Sequence, residues 1–304
     1  MQFMGEFIAL ATVLCWTCSI QFFEAASKRV GAVPVNIIRL SVALLCFGLF
    51  LFLRDGALLP LYFPVHAWFY LCLSGVIGFF IGDIFLFIAL VELGPRITML
   101  IQSLAAPTAA VIGWLLLDER YALDQWVGMA ITLGGVGVVI LDRGRDLSPA
   151  RRLTVRRASF KGVVFGFFAM LGQAGGLLLS KVGMQTESGY LDPFAATQIR
   201  ALAAFVCFTL YFTVTRRWRM VGAALSDKKA VIYTSVGAAI GPFIGVSLSL
   251  MALHYLSAGV ASTFFSLIPI CIIPFSIYLH KEHVSLRAIS GAVTAVFGVY
   301  LLMS

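Results

Sequence analysis

Asp83 is the residue whose type and position suggest chemistry most directly. It lies well inside a long apolar run, in the segment Gly82-Asp83-Ile84-Phe85. An acid near the centre of a bilayer costs about 2.5–3.5 kcal/mol on insertion scales, so it needs either a partner or a water-filled cavity. The functional interpretation is a carboxyl group that binds a proton or another cation. The alternative is a structural ion pair with an arginine inside the membrane, and the residues alone leave both open.

Two arginines also lie inside apolar runs, each about six residues from the start of its predicted span. Arg39 and Arg200 stand in similar short sequences, Ile38-Arg39 and Ile199-Arg200. The functional interpretation is anion binding. The alternatives are pairing with Asp83 or with helix-end carbonyls, or extension of the long side chain to the nearby membrane interface.

Neutral polar and aromatic side chains complete the set of candidate site residues: Gln102, Ser103, Gln173, Ser266 and Trp16. Ser103 and Ser266 occupy equivalent positions of an internal repeat, which favours two serines lining one cavity. Hydrogen bonds between helices are the alternative for the serines and glutamines. Trp16 lies deeper in its span than the other tryptophans, and it could stack on a substrate.

Three prolines, Pro107, Pro269 and Pro274, fall in the middle of apolar runs. A proline inside a helix frees a carbonyl that a neighbour or a ligand must satisfy. Breaks in corresponding helices of two repeats indicate a substrate site between the repeats. We therefore predict helix breaks at these prolines.

Signatures of enzymes and metal sites are missing from the sequence. The segment His280-Lys281-Glu282-His283 does not have the HExxH spacing, and no GxSxG is present. All six cysteines lie in apolar runs, and the single CxxC, Cys15 to Cys18, has no second ligand pair. We predict no enzymatic activity, no metal and no cofactor.

Composition places the chain in a membrane. Apolar residues make up 61% of it, charged residues 12%, and the mean hydropathy is +0.98. Many apolar runs exceed the roughly 18 residues that mark a membrane span. The net charge of +8 does not indicate nucleic-acid binding, because the basic residues lie in the short gaps between apolar runs.

The chain is an internal duplication. Residues 77–136 return at an offset of 163, with identical residues that include Gly78 and Gly241, Ser103 and Ser266, and Glu119 and Glu282. We predict a first repeat at 1–142, a basic linker at 143–160 and a second repeat at 161–304. Each repeat contains five apolar segments, and a turn at Gly94-Pro95 separates the third from the fourth.

Five is an odd number, so the second repeat must enter the membrane from the side opposite to the first. We therefore predict an all-α membrane protein of ten transmembrane helices, arranged as two inverted five-helix repeats. Most lysines and arginines outside the spans lie in one set of alternate loops, whereas the other set holds only Arg54, Arg120 and Lys181. The positive-inside rule then predicts that both termini lie outside the cytoplasm.

Each half resembles the EamA domain of the drug/metabolite transporter superfamily. The motifs that carry the resemblance lie in both halves: Ala89-Leu90, Gly94-Pro95, Leu104-Ala105-Ala106-Pro107, Leu115-Leu116-Leu117-Asp118-Glu119, Gly128 and Gly134-Gly135-Val136, then Ala252-Leu253, Leu267-Ile268-Pro269, Glu282, Gly291 and Gly298-Val299. The resemblance implies a ten-helix carrier, often a bacterial inner-membrane exporter of amino acids, other metabolites or drugs. Many ten-helix members keep both termini in the cytoplasm, and the charge distribution here predicts the reverse.

These observations predict a secondary transporter that works by alternating access, with Asp83 as the coupling or recognition group. A proton is the favoured coupling ion. The expected partners are a small-molecule substrate and the lipid bilayer but no nucleic acid, and the expected state is a monomer or a homodimer. The alternatives are an importer of metabolites and a membrane scaffold or sensor that transports nothing, whose charged residues would be structural.

Overall fold

The computed structural model describes residues 3–142, 160–187, 189–280 and 285–303. All but the last residue of the predicted linker at 143–160 therefore lies outside the described residues. The described residues are almost entirely helical. Their α-helices are α1 (Met4–Val30), α2 (Ala32–Asp55), α3 (Val65–Ser74), α4 (Asp83–Ser103), α5 (Ala105–Leu116), α6 (Leu123–Asp142), α7 (Phe160–Met184), α8 (Pro193–Val214), α9 (Trp218–Ser226), α10 (Lys228–Ala238), α11 (Val246–Ala252), α12 (Ala258–Phe265), α13 (Ile268–His280) and α14 (Leu286–Met303).

Eight helical segments of the described residues are long and apolar enough to cross a membrane: Met4–Val30, Ala32–Asp55, Val65–Leu90, Ile97–Leu116, Leu123–Leu141, Phe160–Met184, Pro193–Val214 and Lys228–Ala252. Two shorter apolar segments follow, Ala258–Pro274 and Leu286–Leu302. Large apolar side chains cover the outer surface, as at Leu45 and Leu53, which are 73% and 75% exposed. Water would disfavour such a surface and lipid accepts it, so the chain is a multi-pass membrane protein.

Two π-helical segments lie at matching positions of the two halves. The first, π1, is Gly75–Gly82 and joins α3 to α4; the second, π2, is Ala239–Gly245 and joins α10 to α11. Their ends, Gly82 and Gly245, differ by the repeat offset of 163. Short π-helical stretches recur at functional sites, and Asp83 follows π1 directly.

The chain reverses direction around the turn predicted at Gly94-Pro95, although helical hydrogen bonding continues through both residues within α4. A β-carbon on Gly166 would lie 3.0 Å from Cδ1 of Ile101 and 3.7 Å from Cβ of Ala89, whereas a straight helix would separate those two residues by about 18 Å along its axis. A second break in the helical path lies at Leu104, between α4 and α5.

Helices α6 and α14 pack through glycines in a reciprocal pattern. A β-carbon on Gly128 would lie 2.9 Å from the carbonyl oxygen of Gly298, and one on Gly135 would lie 2.5 Å from that of Gly291. Gly128 and Gly291 are repeat equivalents, and so are Gly135 and Gly298. Residue numbers rise along one helix as they fall along the other, so the two helices run antiparallel.

This close packing makes a prediction about two neighbouring glycines. Gly135→Ala would place a methyl group 2.5 Å from the backbone nitrogen of Ala295, whereas an added β-carbon at Gly134 meets nothing within 4 Å. We expect Gly135→Ala to lower the free energy of unfolding by about 1–3 kcal/mol, the usual cost of overpacking. Gly134→Ala serves as the matched control and should keep or raise the thermal midpoint of the detergent-purified protein. Equal midpoints for the two variants would contradict the helix contact.

A short β-hairpin marks one end of the helix bundle. Gln185–Thr186 pairs antiparallel with Gly189–Tyr190. His66, at the start of α3, contacts the carbonyl oxygen of Gln185 at 3.2 Å, and Tyr190 stacks on His254 after α11 with 4.7 Å between ring centroids. We call this the hairpin end. The ends of α2, α5, α7 and α11 and the starts of α3, α6, α8 and α12 meet there.

Candidate functional site

Asp83 and Arg39 form an ion pair inside the bundle. Asp83 is the first residue of α4, and Arg39 lies seven residues after the start of α2. Both side chains are about one fifth exposed, and the Arg39 guanidinium also lies 5.7 Å from the ring centroid of Phe23. Two opposite charges held together this way lower the cost of keeping each in an apolar environment. The structure thus supplies the partner that Asp83 needs.

Arg200 has no such partner. It lies seven residues after the start of α8 and is 5% exposed. Its guanidinium lies 4.5 Å from the ring centroid of Phe79 in π1, and among the described residues its side chain makes no hydrogen bond or ion pair. Arg39 therefore has an acidic partner and Arg200 has none, because the repeat equivalent of Asp83 is Val246.

The two equivalent serines have matching local hydrogen bonds. The Ser103 hydroxyl donates to the carbonyl of Leu100, and the Ser266 hydroxyl donates to that of Thr263, each over 2.7 Å. Each serine lies beside a helix break, at Leu104 in the first half and at Ser266–Leu267 in the second. The serine hydroxyls therefore satisfy carbonyls at helix ends, and no hydrogen bond between described residues joins either of them to another helix.

The helix breaks come before the prolines, which corrects the predicted positions. Pro107 lies in the first turn of α5 and Pro269 in the first turn of α13, while Pro274 lies within α13. A proline fits the first turn because its missing N–H has no partner there in any case. Leu104 and Leu267 are repeat equivalents, so the breaks match in register although the prolines do not.

The other three candidate residues are spread across the bundle. Trp16 contacts the ring of Phe265 edge-to-face at 5.1 Å, and a β-carbon on Gly245 would lie 2.7 Å from its Cδ1. Gln102 is half-buried near the end of α4, and Gln173 is exposed on α7. No hydrogen bond or ring contact between described residues joins these side chains to the Asp83–Arg39 pair.

A second buried ion pair lies at the hairpin end, and sequence reasoning missed it. Lys181, in the last turn of α7, donates to Glu119 over 2.6 Å and to the carbonyl of Leu256 over 3.1 Å. Glu119 also accepts the backbone N–H of Ala258, the first residue of α12, over 3.0 Å. The side chains of Lys181 and Glu119 are 11% and 8% exposed. We call Glu119, Lys181 and the backbone of Leu256 and Ala258 the latch.

Tyr121 extends the latch to the next residue of α12. Its hydroxyl donates to Glu119 and accepts the backbone N–H of Gly259 over 3.2 Å. Glu119 and Tyr121 belong to the first half, whereas Lys181 and α12 belong to the second. The sequence did contain a signal for this pair, because Lys181 lies at the end of an apolar segment. We interpreted Lys181 as a loop residue. Its buried carboxylate partner comes from a residue far away in the chain.

Salt bridges close the same end nearer to the surface. Arg54 contacts Asp55 over 2.7 Å and Asp192 over 2.8 Å, and Asp192 caps α8 by accepting the N–H of Ala195. At the other end of the bundle, Arg29 contacts Asp227 over 2.8 Å. A cavity of about 330 Å³ lies beside the latch, lined by Trp114, Asp118, Arg120, Tyr121 and Trp126.

His254 makes the hairpin end sensitive to pH. Burial lowers the pKa of its imidazole below the ordinary value of 6.5, nearby Lys181 lowers it further and Asp192 opposes the shift. The folded protein therefore holds His254 neutral against the Tyr190 ring. As the pH falls through 6.5 towards the lower folded pKa, the unfolded chain binds the proton more readily and stability is lost.

We expect the thermal midpoint of the detergent-purified protein to fall between pH 7.5 and pH 5.5. His254→Phe keeps an aromatic ring against Tyr190 and removes the titrating group, so this variant should show a smaller fall. An unchanged fall in His254→Phe would assign the pH dependence to other groups.

Comparison with known proteins identifies the family. No curated protein matches the chain. A solved structure described only as "Crystal structure of protein" is 15% identical, covers 99% of this chain and 98% of its own, and superposes with a TM-score of 0.71; at this identity it shows a shared fold. The model of the EamA-like transporter family matches residues 3–141 and again residues 160–304. Both halves thus confirm the resemblance seen in the sequence, and the chain belongs to the EamA-like transporter family.

Proposed function

We propose that the protein is a secondary-active exporter of small metabolites or drugs, built as two inverted repeats that alternate access to a central site. The observation that carries the proposal is the Asp83–Arg39 ion pair directly after π1, in a chain of the EamA-like transporter family. Paired intramembrane charges are costly to maintain and commonly mark ion or substrate pathways. Residues of both repeats would contribute to the site: Asp83, Arg39, Arg200, Gln102, Ser103, Gln173, Ser266 and Trp16.

The glycine contacts between α6 and α14 support inversion of the repeats. Gly128 contacts Gly298 and Gly135 contacts Gly291. A rotation that places each repeat on the other therefore places each of these contacts on the other. Thr132 also donates a hydrogen bond to the carbonyl of its own repeat equivalent, Ala295, over 3.4 Å. A two-fold axis between antiparallel helices produces this pattern, as expected for inverted repeats that cross the membrane five times each.

The latch supports alternating access. It joins the loop after α5 to α7 and α12, and these three elements come from both halves. A transporter that closes the hairpin end while the other end opens needs a contact between its halves at the hairpin end. The helix breaks at Leu104 and Leu267 would act as hinges for α5 and α13. By the positive-inside prediction, the hairpin end would face away from the cytoplasm of a bacterial inner membrane.

We further propose that transport is coupled to protons through Asp83. Protonation of its carboxyl would remove the charge that holds Arg39 and would release α2 from the start of α4. Substrate and proton movement would then be linked through one ion pair. The ion pair also favours a second candidate, a membrane scaffold or sensor in which the two charges are purely structural.

A comparison of culture media separates these functions. We expect cells that express the wild-type protein to enrich the medium in one class of small metabolites, measured by untargeted mass spectrometry against cells with an empty vector. Depletion of a compound from the medium would indicate import instead. An unchanged medium, together with an unchanged tolerance of the cells to a panel of drugs, would favour the scaffold or sensor.

A further inference from the structure

The charge of Arg200 is uncompensated among the described residues. Arg200 is only 5% exposed, and its Nε atom has no hydrogen-bond partner. Its position in α8 lies about 10 Å from the hairpin end of that helix, at 1.5 Å per residue. A guanidinium held inside the membrane without an anion is unfavourable by a few kcal/mol. A bound anion at this point would compensate the charge.

No carboxylate of the described residues forms an ion pair with Arg200. The backbone of Arg200 packs directly on Gly75, and a β-carbon on Gly78 would lie 3.7 Å from its Nη2. Asp83 lies one helical turn beyond Phe79, but Arg39 already binds it. Asp55 and Asp192 are both engaged by Arg54 at the hairpin end. The ring of Phe79 and the glycine surface of π1 lie against the guanidinium.

We propose that Arg200 binds the carboxylate of an organic monoanion and that this anion is the exported substrate. The inference rests on the proposed transport function and narrows its substrate class. One uncompensated positive charge is neutralised by one carboxylate, whereas a dianion leaves a net charge in the membrane. An arginine also holds a carboxylate through two parallel N–H···O bonds.

The apolar surroundings select the rest of the ligand. Phe79 covers the guanidinium in this conformation, so its ring has to move aside before an acid can reach Arg200. A zwitterionic amino acid would bring an ammonium group, and Asp83, the acid one helical turn beyond Phe79, is already bound to Arg39. The burial of Arg200 within the bundle keeps it from lipid phosphates. A monocarboxylate with an apolar or aromatic body fits these conditions.

Binding can be tested without transport. The purified protein in a neutral detergent is heated with sodium benzoate, with benzamide as the uncharged analogue of the same shape, and with sodium chloride at equal ionic strength. We expect benzoate to raise the thermal midpoint in a saturable way, and benzamide and chloride to leave it unchanged. An equal response to benzoate and benzamide would overturn the proposal.

Arg200→Gln should weaken benzoate binding by roughly ten- to a hundredfold, the effect of losing a charge-assisted hydrogen-bonded pair. The variant should fold, because removing an unpaired charge breaks no ion pair. Phe79→Ala is the second variant: it uncovers the guanidinium and should bind benzoate at least as tightly as the wild type. Unchanged benzoate affinity in Arg200→Gln, or its loss in Phe79→Ala with Arg200 intact, would contradict the site.

The transport and binding experiments test the exporter and the anion site independently. Benzoate binding that depends on Arg200, without export of any compound, would keep the anion site and reject the exporter. Export of neutral or cationic compounds that continues in Arg200→Gln would keep the exporter and reject the anion site.

Discussion

Asp83→Asn is expected to abolish export and also to destabilise the protein. The substitution removes the charge that compensates Arg39, so a buried guanidinium loses its partner. Breaking one side of a buried ion pair costs about 3–5 kcal/mol, and the partial exposure of this pair places the effect towards the lower end. Thermal unfolding in detergent measures the stability, and metabolite enrichment in the medium at matched membrane levels measures the transport.

A double variant separates the two effects. Asp83→Asn with Arg39→Gln removes both charges and leaves neutral groups that can hydrogen-bond, so most of the lost stability should return. If Asp83 couples transport to a proton, the double variant stays inactive although it is stable. Recovery of export together with stability would show that the pair is structural and would remove Asp83 from the coupling mechanism.

Glu119→Gln is expected to have the second large effect, because it breaks the latch between the two halves. The Lys181 ammonium would lose the negative charge that neutralises it while remaining buried. We expect a loss of about 3–5 kcal/mol in the free energy of unfolding. Asp118→Asn is the matched control, because Asp118 is the exposed neighbour of Glu119 and its replacement leaves the latch intact.

The latch also predicts a change in conformation. If it closes the hairpin end, then Glu119→Gln with Lys181→Met should fold and open that end more often. Labelling of a single cysteine introduced at Leu253, which is 1% exposed at the hairpin end, reports the opening in a background without native cysteines. Equal labelling rates with and without the latch charges would limit Glu119 and Lys181 to a structural role.

The sequence by itself determined the membrane class, the repeat and the family. Long apolar runs show that the chain lies in a lipid bilayer, because no other environment accepts so much apolar surface. The offset of 163 follows from identities at Gly78, Ser103 and Glu119, which need no coordinates to be recognised. The isolation of Asp83 was equally visible, because one acid in an apolar run stands out whatever its partner.

Only the tertiary structure decided which charges meet. Arg39 and Arg200 are equivalent in sequence, yet one binds Asp83 and the other lies against Phe79, because the choice depends on which residue of a neighbouring helix faces each guanidinium. The latch could not be predicted, since its members are brought together from opposite halves of the chain. The positions of the helix breaks, ahead of Pro107 and Pro269, depend on hydrogen bonds that form only when the backbone has folded. Composition and the internal repeat specify the membrane environment and the architecture. The pairing of charged side chains depends on distances between helices, which the linear sequence does not contain.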